Sequence, residues 1–167
     1  MNMVLDVERG TMVLDKQNTS ITSLASSVIK GVANECSLRQ IDCVVNLPKT
    51  SLPNVKIDAE KIRRVIEILV KNALQYSRKN GNITVKFSKT VKTVKIIIAD
   101  NGVGIPEGEQ VNIFDKFFRA SNAQSLNTNG IGLGLYIVKS IIEAHNGQIS
   151  FRSREGVGTE FTVTLPL

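Results

Sequence analysis

Three short stretches hold the residues whose types and spacing could do chemistry. The first is Lys71-Asn72-Ala73-Leu74-Gln75-Tyr76-Ser77, which sets an amide beside an apolar helical stripe. A buried amide is costly without partners. Its oxygen can serve as one of the few protein ligands of a magnesium ion that keeps most of its waters. The second is Asp100-Asn101-Gly102-Val103-Gly104-Ile105. Here a carboxylate ends an apolar strand, beside glycines that let a flat ligand approach the backbone. Such a carboxylate could accept from an exocyclic amine like that of adenine. The third is Gly130-Ile131-Gly132-Leu133-Gly134-Leu135, which runs into an apolar helix. Bare N–H groups and the positive end of the helix dipole make a phosphate cradle. Each stretch alone also fits something ordinary: a helix end, an Asp-Asn-Gly turn, a flexible loop. The glycine run is neither a Walker loop, which ends in Gly-Lys-Ser/Thr, nor a dinucleotide fingerprint.

The elements that must position these residues are legible in outline. Asp58 has the character of a helix N-cap, with Glu60 in the first turn. Ile62, Val65, Ile66, Leu69, Val70 and Ala73 then recur at three and four, predicting a helix to about Tyr76. Residues 1–9 read as the tail of a helix, 10–20 as a strand, 21–34 as a helix and 41–47 as a strand, with a loop over 48–53. An Asn-Gly-Asn turn at 80–82 precedes strands over 83–87 and 94–99. A polar, glycine-containing region from 102 to 130 carries Phe114, Phe117 and Phe118; Phe114 and Phe117 are expected to plug the core. A buried helix over 134–144 and a hairpin of 148–152 with 160–165 complete the order. The expectation is α+β: a two-layer sandwich with helices packed on one face of a mixed sheet.

Bulk properties narrow the class. At 167 residues, 42% apolar and 22% charged, the chain has the size and composition of one globular domain. No run is long and apolar enough for a membrane span, and no signal-peptide pattern opens the chain. The +6 charge is spread rather than blocked and suits an anionic ligand or a solubilising surface, while nucleic-acid recognition patterns are absent. Cys36 and Cys43 lack the spacing of a metal knuckle or redox pair, and are expected to be free thiols in a reducing cytoplasm. The one histidine is His145.

Taken in order, the segments Asn-Ala-Leu-Gln-Tyr-Ser, Asp-Asn-Gly-Val-Gly-Ile, Ile-Phe-Asp-Lys-Phe-Phe-Arg, Gly-Ile-Gly-Leu-Gly-Leu and Gly-Val-Gly-Thr-Glu-Phe resemble the catalytic domain of sensor histidine kinases. The resemblance implies a Bergerat-type ATP-binding fold, with mostly antiparallel strands. It makes Asn72 the ligand of Mg2+ bridging the phosphates of ATP, Tyr76 a packing surface for adenine and Asp100 the acceptor of its amine. Gly102, Gly104 and Ile105 would keep the base pocket open. Gly130, Gly132, Leu133, Gly134 and Leu135 would line the phosphates, Arg119 with Lys116 would reach the γ-phosphate, and residues 121–129 would form a lid.

The same resemblance divides the chain into 1–10, the end of an acceptor hairpin and its linker, and 11–167, the ATP-binding domain. The phosphorylated histidine would belong to an acceptor domain absent here, with a response regulator reached indirectly. His145 matches a packing position, so the chain alone would not autophosphorylate. This piece would be monomeric and cytoplasmic; its parent would be a homodimer, with room for a membrane anchor. Two departures from the family pattern touch the site: Ile68 stands where a second Asn is frequent, and Gln75 where Lys is common. A clamp ATPase would need a Glu one turn before Asn72. Ile68 occupies that place, and Glu67 points roughly 140° away around the helix. A degenerate nucleotide-binding or partner-binding module is the other alternative.

Overall fold

Alternating β-branched residues build the sheet, and apolar spacing of three and four builds the helices that cover it. The computed structural model describes residues 3–126 and 130–167. Helix α1 (Met3–Glu8) precedes strand β1 (Gln17–Thr19), helix α2 (Ile21–Gly31) and helix α3 (Ala33–Leu38). Strands β2 (Asp42–Asn46) and β3 (Val55–Ile57) lead into the long helix α4 (Ala59–Tyr76). Then come β4 (Asn82–Lys89), β5 (Thr93–Asp100), a 3-10 turn (Glu107–Asn112) and the short helix α5 (Ser121–Ser125). Helix α6 (Gly134–Ala144) and the hairpin of β6 (Gln148–Arg154) with β7 (Gly158–Pro166) follow.

Five strands form one sheet in the order β2-β4-β5-β7-β6, parallel only between β2 and β4. Val94, Ile96 and Ile98 of β5, with Phe161, Val163 and Leu165 of β7, are buried. The alternate residues Lys95, Ile97, Thr162 and Thr164 lie on the other face and are partly exposed. Helix α4 covers the buried face, flanked by α2 and α6. Its stripe from Ile62 to Ala73 is in the core, and the Asp58 carboxylate accepts the Lys61 N–H at 3.1 Å, capping the helix as its sequence implied. The architecture is the two-layer, mostly antiparallel α+β arrangement expected.

Three local expectations are corrected. Of residues 10–20, only Gln17–Thr19 forms a strand, because its partner β3 is three residues long. That partner was missed, since a Val-Lys-Ile triplet is too short to register as a strand. The helical stretch after Ile21 divides at Val32 into α2 and α3. The cysteines are not free thiols: Cys36 of α3 and Cys43 of β2 are joined in a disulfide, with Cα atoms 6.5 Å apart. The reversal comes from Gln40, whose left-handed backbone (φ 55°) turns α3 back onto the β2 edge.

A disulfide closing so short a loop restricts the unfolded chain, so Cys36→Ser or full reduction should cost about 2 kcal/mol. Urea unfolding with and without reductant measures that loss.

Candidate functional site

Helix α4 carries a second stripe beside its core stripe. Arg64, Ile68, Lys71, Asn72, Gln75 and Tyr76 recur at three and four and form one wall of a cavity of about 380 Å³. Asp100 and Ile105 approach from the end of β5, and Thr159 and Phe161 of β7 lie alongside. Arg119, Asn122 and Ala123 cover one side, with Gly130 beside Arg119, and the run from Gly130 to Leu135 continues the wall. Asn72, Tyr76, Asp100, Gly104, Ile105, Arg119, Gly130, Gly132, Leu133, Gly134 and Leu135 therefore meet around a single space.

Two of the expected residues are placed elsewhere. Gly102 is not on the cavity wall. A Cβ there would come 2.3 Å from the Tyr76 carbonyl oxygen, and its N–H donates to Asp100 Oδ1 at 2.8 Å. The glycine aims the carboxylate rather than opening the pocket. Lys116 points into a separate, open groove of about 660 Å³ between α1 and α6. There its ammonium pairs with Glu8 and sits 5.1 Å from the centroid of the Tyr136 ring.

Close backbone passage explains two further glycines. A Cβ on Gly104 would lie 2.0 Å from the Arg154 carbonyl oxygen, and φ there is +67°. A Cβ on Gly132 would lie 2.7 Å from the carbonyl carbon of Phe117, at φ +78°. Phe117 itself has φ +63° and gives its N–H to the Gly132 carbonyl at 2.9 Å. That turn swings its ring outward, leaving it 67% exposed, so Phe117 is not the core plug expected. Phe114 is, packed edge-on to Phe151 with ring centroids 5.9 Å apart, and Phe118 joins it against the core.

Sequence reasoning missed the polar residues that bind these loops together. Asn122 Nδ2 donates to the Gly104 carbonyl at 2.9 Å, fastening α5 to the first glycine loop. Ser153 Oγ accepts the Ile105 N–H at 2.8 Å, donates to the Gly158 carbonyl at 3.1 Å and meets Thr159 Oγ1 at 2.8 Å. Gln110 Nε2 donates to the carbonyls of Ile105 and Ser153. Isolated Ser, Asn and Gln residues carry no periodic signal by which they could have been found. Of the expected lid 121–129, residues 127–129 lie outside those described.

Burial pushes the Asp100 carboxyl up to about 6, against backbone hydrogen bonds from Gly102 and Thr159 that favour its charge. At neutral pH it remains an anion facing the cavity. His145 is nowhere near it. The ring is buried, Nδ1–H donates to the Ile141 carbonyl at 2.8 Å, and Nε2 accepts the Asp58 N–H at 3.1 Å. One neutral tautomer satisfies both bonds, and burial holds its pKa below the ordinary histidine value.

A half-buried acceptor at one end of the cavity and a glycine-lined helix N-terminus along its side define an ATP-binding domain of the two-layer α/β type. The family model described as histidine kinase-, DNA gyrase B-, and HSP90-like ATPase matches residues 57–167. The adaptive-response sensory kinase SasA of Synechocystis is 39% identical over 149 residues, 89% of this chain and 38% of that protein. The sensor histidine kinase WalK of Bacillus subtilis is 37% identical over 130 residues, 77% of this chain and 21% of that protein. The solved catalytic domain of the histidine kinase ThkA superposes with a TM-score of 0.77 at 28% identity, over 93% of this chain and 98% of that one. The chain thus spans less than half the length of either sensory kinase. It belongs to the histidine kinase-, DNA gyrase B- and HSP90-like ATPase family, as a catalytic domain of the sensor histidine kinase kind.

Asp100 and His145 make opposite contributions to the pH dependence of stability. His145, with its folded pKa depressed, stabilises above its ordinary value of 6.5 and progressively less as pH falls. Asp100, raised from 3.8 to about 6, penalises the fold above pH 6, and that penalty lifts as pH falls toward 4. Asp100→Asn should therefore be the more stable protein at pH 8, by at most ~3 kcal/mol, with the advantage gone by pH 4. Denaturant midpoints across that range check the sign.

Proposed function

We propose that this chain binds Mg-ATP in the α4–α6 cavity and donates the γ-phosphate to a histidine on a separate acceptor domain. The observation that carries the reading is the half-buried, ionised Asp100, aimed by the Gly102 N–H into a cavity whose wall includes the N-terminus of α6. Asp100 accepts the exocyclic amine of adenine and Tyr76 packs on the base. Gly130, Gly132 and Gly134 bring bare N–H groups to the phosphates, and Arg119 meets the γ-phosphate from the lid side. These parts work by positioning and by neutralising charge, which is most of what phosphoryl transfer asks of a protein.

Among the described residues no three His, Cys, Asp or Glu side chains group as a metal site, whereas the Asn72 amide lines the cavity. One protein oxygen, with phosphate oxygens and water for the rest, suits Mg2+. Asn72 would hold that ion, whose chemistry there is to neutralise phosphate charge. Residues 1–10 serve as linker and 11–167 as the catalytic unit, acting on the cytoplasmic side where ATP is available. No helix among the described residues is long and apolar enough to cross a membrane. The whole protein would work as a dimer through its acceptor domain and signal onward to a response regulator. His145, with both ring nitrogens engaged, is not a phosphate acceptor. Gln75 on the cavity wall favours one second reading, a nucleotide-binding module without transfer.

Calorimetric titration with Mg-ADP tests the site. Asp100→Ala should weaken binding roughly ten- to a hundredfold, by loss of a charged hydrogen bond. Wild-type affinity should itself fall as pH drops below about 6. With γ-labelled ATP and a histidine-bearing acceptor domain added, label should appear on the acceptor and none on this chain. Binding without transfer would select the second reading.

A further inference from the structure

Building on the reading of the cavity as a Mg-ATP site, we infer that Arg64 binds the terminal phosphate and supplies charge that Gln75 does not. Arg64, Ile68, Asn72 and Tyr76 fall at every fourth position of α4, and all four line the cavity. Residues four apart stack on one face of a helix, so this line follows the cavity from end to end. Tyr76 marks the base end: an added Cβ on Gly102 would touch both the Tyr76 carbonyl oxygen and Asp100 Oδ1. Ile68 marks the level of α6, because a Cβ on Gly134 would lie 3.0 Å from Ile68 Cγ2. Arg64 stands four residues further, about 6 Å along the axis, and a helical side chain leans toward the N-terminus, away from the base end. A nucleotide whose base meets Asp100 and whose phosphates pass Asn72 and the start of α6 has its last phosphate nearest Arg64.

The charges lead to the same assignment. Of the four residues on that line, Arg64 is the cation. Gln75 and Ile68 are neutral, and Lys116 is engaged with Glu8 in the other groove. Helix α4 puts a second cation on the cavity wall, Lys71, but it stands beside Asn72, whereas Arg64 stands beyond Ile68 at the terminal-phosphate end. Among the described residues the guanidinium pairs with Glu67, at 3.6 Å, with the side chains 48% and 33% exposed. Such a solvent-screened pair is weak, while a guanidinium fork on a phosphate is a strong, two-pronged contact. ATP should therefore draw Arg64 away from Glu67, and ADP, lacking the terminal phosphate, should not.

The test is calorimetric titration with Mg-ADP and with a non-hydrolysable Mg-ATP analogue, on the wild-type chain, Arg64→Gln, Arg64→Lys and Glu67→Gln. Arg64→Gln should lose roughly ten- to a hundredfold affinity for the analogue while its ADP affinity stays within about twofold. Arg64→Lys should recover part of the loss, since an ammonium keeps the charge without the fork. Glu67→Gln should tighten the analogue and leave ADP unchanged. Equal losses for both nucleotides in Arg64→Gln, or no loss for the analogue, would overturn the assignment. Failure of the folded wild type to bind Mg-ADP would instead overturn the reading of the cavity, and the assignment with it.

Discussion

Three backbones converge at the end of β5 more closely than any side chain allows. Gly102 lies against the Tyr76 carbonyl at the end of α4, Gly104 against the Arg154 carbonyl of β6, and Gly158 against the Asp100 carbonyl. In each case an added Cβ would fall within 2.0 to 2.3 Å of an oxygen. This contact fixes where the helix ends relative to the sheet, and so where Tyr76 stands relative to Asp100. The same convergence removes Asp100 from water while giving it the Gly102 N–H, which keeps a desolvated carboxylate charged and aimed. The polar clasps around it, Ser153 to Ile105 and Gly158 and Gln110 to Ile105 and Ser153, answer the backbone groups that so tight a junction leaves without sheet partners.

Helix α4 ties this junction to the rest of the molecule by using two of its faces. One buries Ile62, Val65, Ile66, Leu69, Val70 and Ala73 against the sheet, and the other presents Arg64, Ile68, Asn72 and Tyr76 to the cavity. Its start is anchored by a node of bonds on Asp58, whose carboxylate also pairs with the Lys61 ammonium at 2.9 Å. The Asp58 carboxylate accepts N–H groups from Lys61 and Asp15, and its own N–H is taken by His145 from the end of α6. Both helices that wall the cavity are thus held at the end away from the base, and both are packed on the same sheet. The site is rigid along α4 and α6 and bounded by loops elsewhere.

The long, strongly patterned parts of this arrangement were legible in the residues. The period of α4, the cap at Asp58, the strands around Ile83 and Ile96, and the closing hairpin all follow from local spacing that tertiary contacts reinforce. Eleven of the thirteen expected site residues converge on the cavity, because helix period and strand ends already put them on one side. Gly102 and Lys116 do not, and both failures are informative. A glycine needed for backbone packing looks the same in sequence as one needed for ligand access. A lysine's partner 108 residues away in α1 leaves no local trace. Phe117 was misplaced because an outward turn at positive φ is set by its bond to Gly132, not by its own hydrophobicity. Cys36 and Cys43 were misread because the reversal at Gln40, not their spacing, brings them together.

The bond from Asn122 to the Gly104 carbonyl bears on time rather than on equilibrium. It joins the short helix beside the cavity to a loop that cannot shift without disturbing β6, since Gly104 is wedged against Arg154. Opening that side means breaking this bond together with the Ser121 N–H bond to Glu109, whether a molecule is entering or leaving. A bond that breaks in passage and re-forms around an occupant raises both barriers equally. Such bonds slow exchange in both directions, so the dwell time of whatever fills the cavity is set partly by contacts the protein makes with itself.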